Sequence, residues 1–392
     1  MRQDDAEWPD FPAHAVAGVL MAGQRHLQSV EALVKRWVRQ EVTALRAYHV
    51  PDAGGVIKLD AMENPYSWPG ELIDGWLDEL RHAAVNRYPD PEARRLTAAL
   101  RDCFALPDQA GVLLGNGSDE LIQLVMQAVS GPGRSVLAPE PSFSMYRMIA
   151  RFVGLEFVGV PLQADNFDLD RDAMLSAIHR HQPAVVFLSY PNNPTGNLFE
   201  RDVLEEIIEQ SPGLVVIDEA YHAFAGASLL DQLGTRRNLL VLRTLSKMGL
   251  AGLRLGYLVG DPAWLDEFNK IRLPYNINVL TQLTATFALQ HYRAFREQTD
   301  SLCREREVLY RSLCDYNVVQ VYPSHANFIL FRVAAGSSGD VFAGLRDSGV
   351  LVKNLHGSSD MLSDCLRVTV GKPDENRAFL AALTRAMAQE SA

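Results

Sequence analysis

The chain has 392 residues, 47% of them hydrophobic and 22% charged, which is ordinary for a globular protein with a large buried core. Its 48 acidic residues outnumber 37 basic ones, and the formal net charge of −11 argues against a general binder of nucleic acid or membrane surfaces. No stretch approaches the roughly 20 consecutive apolar residues that a membrane-spanning helix needs.

The N-terminal part combines an extension with helical segments. Residues 1 to about 30 begin with an acidic segment rather than the basic start of a signal peptide, so a cytoplasmic protein is expected. Apolar residues at helical spacing predict a helix from Val30 to about Arg46. After a polar stretch with proline and glycine, further helices are predicted at Glu71–Val85 and Ala93–Phe104.

From residue 111 onwards, short apolar runs alternate with helix-like segments. Runs without polar alternation are typical of strands buried on both faces, as in a parallel sheet covered by helices. Helices such as Asp119–Val129 and Arg201–Gln210 are predicted between them. The predicted strands are Gly111–Leu114, Ser135–Ala138, Ala184–Ser189, Leu214–Ile217, Leu239–Leu242 and Leu255–Val259.

The last quarter of the chain has a different pattern, which predicts a smaller α+β domain. A long helix from about Thr281 to Leu313 is followed by short strands and a helix near Gly339–Asp347. The strands are predicted at Val318–Tyr322, Phe328–Arg332, Gly349–Lys353 and Cys365–Thr369. The predicted organisation is an N-terminal extension (1–40), an arm joining the small domain (41–75), a large domain (76–285) and a small C-terminal domain (286–392).

The segment Thr244–Tyr257 carries the most specific chemical signal. Its sequence, Thr-Leu-Ser-Lys-Met-Gly-Leu-Ala-Gly-Leu-Arg-Leu-Gly-Tyr, places a lysine in a turn of small residues directly after an apolar run. A lysine amine that forms a Schiff base needs a partly desolvated position with an anion held beside it. Ser246, Lys247 and Arg254 meet both needs if the anion is the phosphate of pyridoxal phosphate (PLP).

The motif Gly115-Asn-Gly-Ser-Asp-Glu120 follows a predicted strand and opens a helix. Ligands of open α/β sheets bind beyond the carboxyl ends of strands, and free amides at Gly117, Ser118 and Asp119 are suited to hold a phosphate there. The alternative is that Ser118 or Asp119 is simply the N-cap of the helix. The motif is not G-x-G-x-x-G, so a dinucleotide site is disfavoured.

Four more side chains near strand ends are candidates for holding a flat, protonated ring. Asp218 ends a buried strand and is suited to pair with a pyridinium nitrogen, although a helix-capping carboxylate is a fair alternative. Asn193, in a rigid turn with two prolines, and Tyr221 are suited to contact a phenolate oxygen. Phe143 could stack on the ring.

Arg367 interrupts an apolar strand and can form a forked contact with carboxylate or phosphate. A surface arginine with a buried stem is the alternative, but the anionic chemistry implied by Lys247 favours ligand binding. The chain has no G-x-S-x-G elbow and no H-E-x-x-H motif, and its four cysteines lack C-x-x-C spacing. Neither a serine hydrolase nor a metal site is therefore predicted.

In their order along the chain, these motifs resemble the fold-type I PLP-dependent aminotransferases, and most closely the histidinol-phosphate aminotransferase family. The resemblance extends from about Val42 to Arg377. The matching segments are Ala47–Pro51 with Tyr48, Leu59–Tyr66, Arg87–Pro91, Gly115–Glu120, Pro191–Gly196, Asp218–Tyr221, Leu245–Gly256, Ser324–Phe328 and Cys365–Gly371. It implies a large, mostly parallel sheet domain and a smaller α+β domain.

The resemblance also implies a role for each candidate residue. Lys247 would be the Schiff-base lysine and proton shuttle, with Asp218 on the pyridine nitrogen and Tyr221 on the phenolate oxygen. Tyr66 would reach the cofactor of a second subunit, which implies a homodimer. The other implied contacts are Asn193 on the phenolate oxygen, Phe143 on the ring, Gly117, Ser118, Asp119, Ser246 and Arg254 on the phosphate, and Tyr48, Asn64, Lys353 and Arg367 on the substrate.

The sequence departs from the family pattern at several of these positions. Phe143 stands where relatives usually have tyrosine, and Met62 where they usually have asparagine. Ser67 replaces a glycine, and Lys353 replaces a second arginine near the substrate phosphate, which keeps the charge but loses the fork. Substrate affinity or specificity could therefore differ, whereas the PLP assignment does not depend on these positions.

The implied reaction is transamination between L-histidinol phosphate and 2-oxoglutarate, giving imidazole-acetol phosphate and glutamate. An aromatic amino-acid aminotransferase is the first alternative, and a PLP-dependent decarboxylase of a phosphorylated amino acid the second. A PLP-binding regulator would need a DNA-binding module, for which the N-terminal extension is too short and insufficiently basic.

Overall fold

A computed structural model of the chain describes residues 30–45, 47, 54–316 and 320–390. The chain divides into two compact units, one ending at Pro51 and the other starting at Asp52. In the first unit, residues 30–37 (α1) and Gln40–Thr43 (α2) are helical. The single helix predicted here is interrupted because Arg39 has an extended backbone, with ψ 143°. Tyr48, predicted to bind substrate, lies outside the described residues.

In the second unit, strands and helices alternate along most of the chain. The strands are β1 (Ile57–Lys58), β2 (Gly111–Asn116), β3 (Ser135–Glu140), β4 (Glu156–Pro161), β5 (Val185–Ser189), β6 (Leu214–Asp218), β7 (Leu239–Thr244), β8 (Leu255–Gly260), β9 (Gln320–Val321), β10 (Phe328–Arg332), β11 (Val350–Leu351), β12 (Lys353–Asn354) and β13 (Cys365–Thr369). The helices are α3 (Gly70–Arg81), α4 (Arg94–Phe104), α5 (Ser118–Val129), α6 (Met145–Val153), α7 (Arg171–His181), α8 (Arg201–Gln210), α9 (His222–Ala225), α10 (Pro262–Asn269), α11 (Val279–Gln290), α12 (Tyr292–Cys314), α13 (Ser338–Asp347) and α14 (Pro373–Glu390).

A seven-stranded sheet with the order β2-β8-β7-β6-β5-β3-β4 forms the centre of this unit. All its strands run parallel except β8, which is antiparallel to both neighbours. The six strands predicted from the sequence are present. The edge strand β4 was not predicted, because only one of its residues is fully buried and it forms no continuous apolar run.

Helices cover the large sheet, and the apolar side chains of the strands pack on both of its faces. Val215, Ile217 and Val241 belong to one buried cluster, whereas Val216 and Leu242 belong to another. This is the alternation expected of strands buried on both sides. None of the helices in the described part of the chain is long and apolar enough to span a membrane.

The long helix predicted from Thr281 to Leu313 is two helices, α11 and α12. The chain leaves the helical conformation at His291 (φ −110°, ψ 26°), whose Nδ1 lies 2.9 Å from the carbonyl oxygen of Phe287. Neither proline nor glycine marks this break, and therefore the sequence pattern did not reveal it.

A second sheet has the order β12-β13-β10-β9 and is antiparallel. The segment predicted as one strand at Gly349–Lys353 is divided, since β11 pairs with β1 of the arm and β12 pairs with β13. Of the strand predicted at Val318–Tyr322, residues 318 and 319 lie outside the described part. The domain boundaries at residues 40, 75 and 285 stay predictions.

Parallel strands bring their carboxyl ends to one edge of the large sheet. At this edge lie Asn116, Ser189, Asp218 and Thr244, the last residues of β2, β5, β6 and β7. Ligands of open α/β sheets bind at such an edge. The loops that follow these four strands contain most of the residues predicted to be functional.

Candidate active site

A cavity lies beyond this edge, and most of the predicted cofactor-binding residues line it. The lining residues are Met62, Ser118, Asp119, Phe143, Ser189, Asn193, Asp218, Ala220, Tyr221, Thr244, Ser246, Lys247 and Arg254. The sequence motifs that contribute to it are far apart in the chain, so the fold is what assembles them.

Lys247 lies in a short 3₁₀ turn directly after β7. Thr244 supports this turn, since its Oγ1 accepts from the amide of Ser246 (3.2 Å) and donates to the carbonyl of Leu255 (2.9 Å). The amine of Lys247 donates to the carbonyl oxygen of Ala61 at 3.3 Å. Burial, with help from the nearby charge of Arg367, lowers the pKa of Lys247 from 10.5 to about 8. About one-tenth of this amine is therefore neutral at pH 7, against far less for an ordinary lysine.

Asp218 is 3% exposed and is held by two donors. The hydroxyl of Tyr146 donates to Oδ2 at 2.7 Å, and the amide of Ala220 donates to Oδ1 at 3.1 Å. Burial raises the pKa of Asp218 to about 6, while these two hydrogen bonds oppose the rise. The carboxylate is mostly ionised at neutral pH and suited to hold a cation.

Tyr146 is a site residue that the sequence analysis did not identify. It belongs to the same segment as Phe143, whose ring meets it edge-on with centroids 5.5 Å apart. Its ring also stacks on Phe187 of β5 at 4.9 Å. Tyr146 follows Phe143 by three residues at the start of α6, and this helical spacing was the available signal that the two rings lie close together. The contact with Asp218 depends on the fold.

A chain of hydrogen bonds joins Arg367, Asn193 and Tyr221. Arg367 donates from Nη1 to Oδ1 of Asn193 and from Nη2 to the carbonyl of Asp60. The amide nitrogen of Asn193 donates to the hydroxyl oxygen of Tyr221 at 3.1 Å. Because this oxygen accepts from Asn193, the hydroxyl proton of Tyr221 is available to a ligand in the cavity.

The other end of the cavity is suited to an anion. Helix α5 begins at Ser118 without a side-chain cap, so its first amides face the loop region. Arg254 directly precedes β8 and has a left-handed backbone conformation (φ 47°), and its Nη2 lies 3.4 Å from Oδ2 of Asp119. A Cβ at Gly256 would lie 2.6 Å from the backbone carbon of Gly117, so these two segments touch directly.

Gly117 contributes in a different way from the one predicted. Its amide donates to the carbonyl of Gly115 at 2.8 Å, so the prediction that this amide is free for a phosphate was wrong. Its backbone has φ 83°, and a Cβ there would lie 2.8 Å from Nη2 of Arg254. The residue has no side chain because the guanidinium occupies that space.

These groups fit PLP in type and in order. The first turn of α5, Ser246 and Arg254 suit its phosphate, Phe143 suits the face of its ring, and the buried carboxylate of Asp218 suits its protonated nitrogen. The guanidinium of Arg254 occupies the space that a Cβ at Gly117 would fill. The absence of a side chain at Gly117 therefore allows this guanidinium to lie at the end of the cavity that suits the phosphate.

Five predicted residues in the described part of the chain do not line the cavity: Gly117 and Arg367, whose contacts are given above, and Asn64, Tyr66 and Lys353. The side chain of Asn64 accepts from the amide of Tyr66 (2.9 Å) and donates to Gln298 (3.1 Å), so it is engaged with the protein. Tyr66 lies with its ring 5.6 Å from the amine of Lys372. Lys353 pairs directly opposite Arg367 in the second sheet, and the two side chains therefore leave the same face.

The match to a family model covers residues 55–383 and is described as aminotransferase class I and II. The fold and the site thus define an aminotransferase, and within this class the chain belongs to the histidinol-phosphate aminotransferase family. Histidinol-phosphate aminotransferase 2 of Nitrosococcus oceani is 57% identical over 350 residues, or 89% of this chain and 97% of that protein. The histidinol-phosphate aminotransferase of Chromobacterium violaceum is 54% identical over 352 residues, or 90% and 98%.

The fold is shared with solved structures at lower identity. The histidinol-phosphate aminotransferase of Sinorhizobium meliloti, solved in complex with PLP, superposes with a TM-score of 0.81 at 22% identity. The match covers 90% of this chain and 98% of that chain. The predicted fold-type I architecture is confirmed, and as a member of this family the chain is a PLP-dependent aminotransferase.

Proposed function

We propose that this chain transfers the amino group of L-histidinol phosphate to 2-oxoglutarate, which yields imidazole-acetol phosphate and glutamate in histidine biosynthesis. The observation that carries the proposal is the cavity in which a lysine, a buried carboxylate and an anion-binding end converge. The relatives named for this activity, at 57% and 54% identity over nearly their whole length, support the same substrate.

When bound, PLP supplies an electron sink that stabilises negative charge at the α-carbon of the substrate. Asp218 keeps a proton on the nitrogen of the cofactor ring, because an ionised, buried carboxylate strongly favours a cation beside it. Tyr221 donates its hydroxyl proton toward the phenolate oxygen, and Asn193 orients that hydroxyl. Phe143 packs on the ring and excludes water from one face.

Lys247 moves the proton of the reaction. Its Nζ, neutral in part at pH 7, takes the proton from the α-carbon of the substrate as a general base and, as a general acid, would deliver it to the C4′ carbon of the cofactor. A pKa of about 8 suits both directions, because neither protonation state is rare near neutral pH.

Two cationic side chains are proposed to hold the anionic end of each substrate. Arg367 is 7% exposed and its guanidinium is oriented by Asn193 and Asp60. Histidinol phosphate carries a phosphomethyl group where glutamate carries its α-carboxylate, and a guanidinium suits either anion. Lys353, on the same face of the second sheet, adds charge for the phosphate.

We also propose that the enzyme is a cytoplasmic homodimer. A cluster of exposed apolar side chains supports an interface, since Tyr88 and Leu273 are 81% and 73% exposed and Tyr88 stacks on Tyr275 at 4.6 Å. The position of Tyr66 outside the cavity of its own chain agrees with a contact to the cofactor of a second subunit. The free thiols of the four cysteines fit a reducing compartment.

The test is a titration of the PLP-loaded protein with histidinol phosphate in the absence of an oxo acid, with phenylalanine in a parallel sample. We expect one imidazole-acetol phosphate per active site, with a matching change in cofactor absorbance, at much lower concentrations than phenylalanine needs. Preference for phenylalanine would identify an aromatic aminotransferase instead. In a third sample with a phosphorylated amino acid, release of carbon dioxide without transfer of the amino group would identify a decarboxylase.

A further inference from the structure

An ion pair is buried on the face of the large sheet opposite the cavity. Glu219 is fully buried and Arg243 is 5% exposed. Nη2 and Nε of Arg243 lie 2.8 and 2.9 Å from Oε2 of Glu219. The hydroxyl of Ser228 donates to the same carboxylate and accepts from Arg243, each at 3.0 Å, and the amide of Leu229 donates to Oε1 at 2.7 Å. Both charges are therefore paired and hydrogen-bonded.

Stability gives little reason to keep such a pair. Desolvating two charges is costly, and replacing a buried pair with apolar side chains of similar volume is often neutral or stabilising. Apolar side chains at these two positions would have aromatic neighbours to pack against. The guanidinium of Arg243 lies 6.0 Å from the ring of Phe104, and the residue opposite Arg243 on β8 is Tyr257. Directional hydrogen bonds do fix the separation of two strands more tightly than apolar packing does.

Glu219, the acidic member of the ion pair, is next in the chain to Asp218, the carboxylate proposed to hold the cofactor ring. Glu219 directly follows Asp218, and because side chains of successive strand residues point to opposite faces, one carboxylate faces the cavity and the other the ion pair. The amide of Glu219 donates to the carbonyl of Leu242 in β7 at 2.8 Å.

Arg243, the basic member of the ion pair, is next in the chain to the segment that contains Lys247. Arg243 directly precedes Thr244, which lines the cavity and whose Oγ1 lies 2.9 Å from Oγ of Ser246, the residue before Lys247. The ion pair thus joins the carboxyl ends of β6 and β7 at one residue from Asp218 and four residues from Lys247.

We propose that Glu219 and Arg243 are positioning residues for transamination, which fix the distance between the carboxylate of Asp218 and the amine of Lys247. This inference rests on the proposed function, since it assumes a cofactor held between these two groups. Neither residue touches the cavity. They act through the strand ends, and a misplacement of about 1 Å in a catalytic group costs about 100-fold in rate.

The test compares Glu219→Gln and Arg243→Lys with wild type, and uses Glu205→Gln as a control that removes one partner of an exposed ion pair with Arg201. We expect the first two variants to lose about 10- to 100-fold in kcat, with KM for histidinol phosphate changed by less than about 3-fold. The pH midpoint of the cofactor absorbance should also shift, because the groups on either side of the ring have moved. The control should match wild type in each measurement.

A double variant, Glu219→Met with Arg243→Met, guards against misfolding, because it leaves no unpaired buried charge. A folded double variant that binds PLP but keeps the low kcat and shifted midpoint supports the positioning role. Wild-type kcat and midpoint in the double variant, or in both single variants, would overturn it. The proposed function fails separately, if wild-type protein itself forms no imidazole-acetol phosphate.

Discussion

The hydrogen bond from Tyr146 to Asp218 predicts how the affinity for PLP depends on pH. Both residues are buried, and the 2.7 Å contact is a hydrogen bond to a charged acceptor. Such a bond is worth about 1.5 to 3 kcal/mol, or about one to two pKa units. In Tyr146→Phe we therefore expect the pKa of Asp218 to rise from about 6 to about 7 or 8.

The direction of the effect follows from which form of Asp218 binds the cofactor. Its ionised form pairs with the protonated ring, so affinity for PLP falls as the pH drops through the pKa of this group. At pH 7 the wild-type carboxylate is about nine-tenths ionised, against about one-half to one-tenth in the variant. The variant should bind PLP about 2- to 10-fold more weakly at pH 7, and the difference should vanish by about pH 9.

The assay is titration of the apo-protein with PLP, followed by absorbance, at a series of pH values. The titrations of free PLP are common to both proteins and cancel in the comparison. Tyr322→Phe is a matched control, because it removes the hydroxyl of a buried tyrosine directly after β9 that accepts from Arg332. If the PLP affinity of Tyr146→Phe begins to fall at the same pH as that of wild type, Tyr146 does not lower the pKa of Asp218 and the reasoning is refuted.

Other predictions concern the lysine, the anion site and the substrate. Lys247→Ala should lower turnover by about 10³-fold or more, and normal turnover would exclude Lys247 as the proton carrier. Because the amine of Lys247 becomes neutral above about pH 8, the rate at which apo-protein captures PLP should rise with pH up to that value and then level off; a rise that continues to pH 10 would contradict the lowered pKa. Gly117→Ala should weaken PLP binding by about 10-fold, whereas Gly133→Ala, which has a similar φ (73° against 83°) but open space around the new Cβ, should lose stability without losing affinity. Lys353→Arg restores a forked donor and should lower KM for histidinol phosphate by about 3- to 10-fold while leaving KM for glutamate nearly unchanged; equal changes for both would show that Lys353 does not discriminate the phosphate.

The sequence motifs predicted the large sheet and the lining of the cavity because the relevant signals are local. The turn around Lys247 and the carboxylate of Asp218 are each recognisable within one contiguous segment that follows an apolar strand. Their convergence follows from the parallel strands, whose carboxyl ends meet at one edge.

What the sequence did not reveal depends on contacts between distant segments and, at Gly117, on the geometry of a local turn. Tyr146 reaches Asp218 across 72 positions in the chain, and nothing in the segment of Tyr146 marks it as a partner of a carboxylate. Glu219 was not among the residues predicted to be functional, since its contact with Arg243 requires neighbouring strands in register. The amide of Gly117 was predicted to be free for a ligand. Its hydrogen bond to Gly115 depends on the geometry of the turn, which the sequence motif does not specify.

The pairing of β2 with β8 bears on how the protein is made. Strand β2 is the first strand of the large sheet to leave the ribosome and β8 is the last, yet they are hydrogen-bonded neighbours, and Gly256 of β8 packs against the backbone of Gly117. The two halves of the anion site therefore cannot meet until the chain has been synthesised past Gly260. A nascent chain that stops before β8 has the carboxylate of Asp218 but lacks the contact of Gly256 with Gly117, so the complete anion site exists only after β8 has paired with β2.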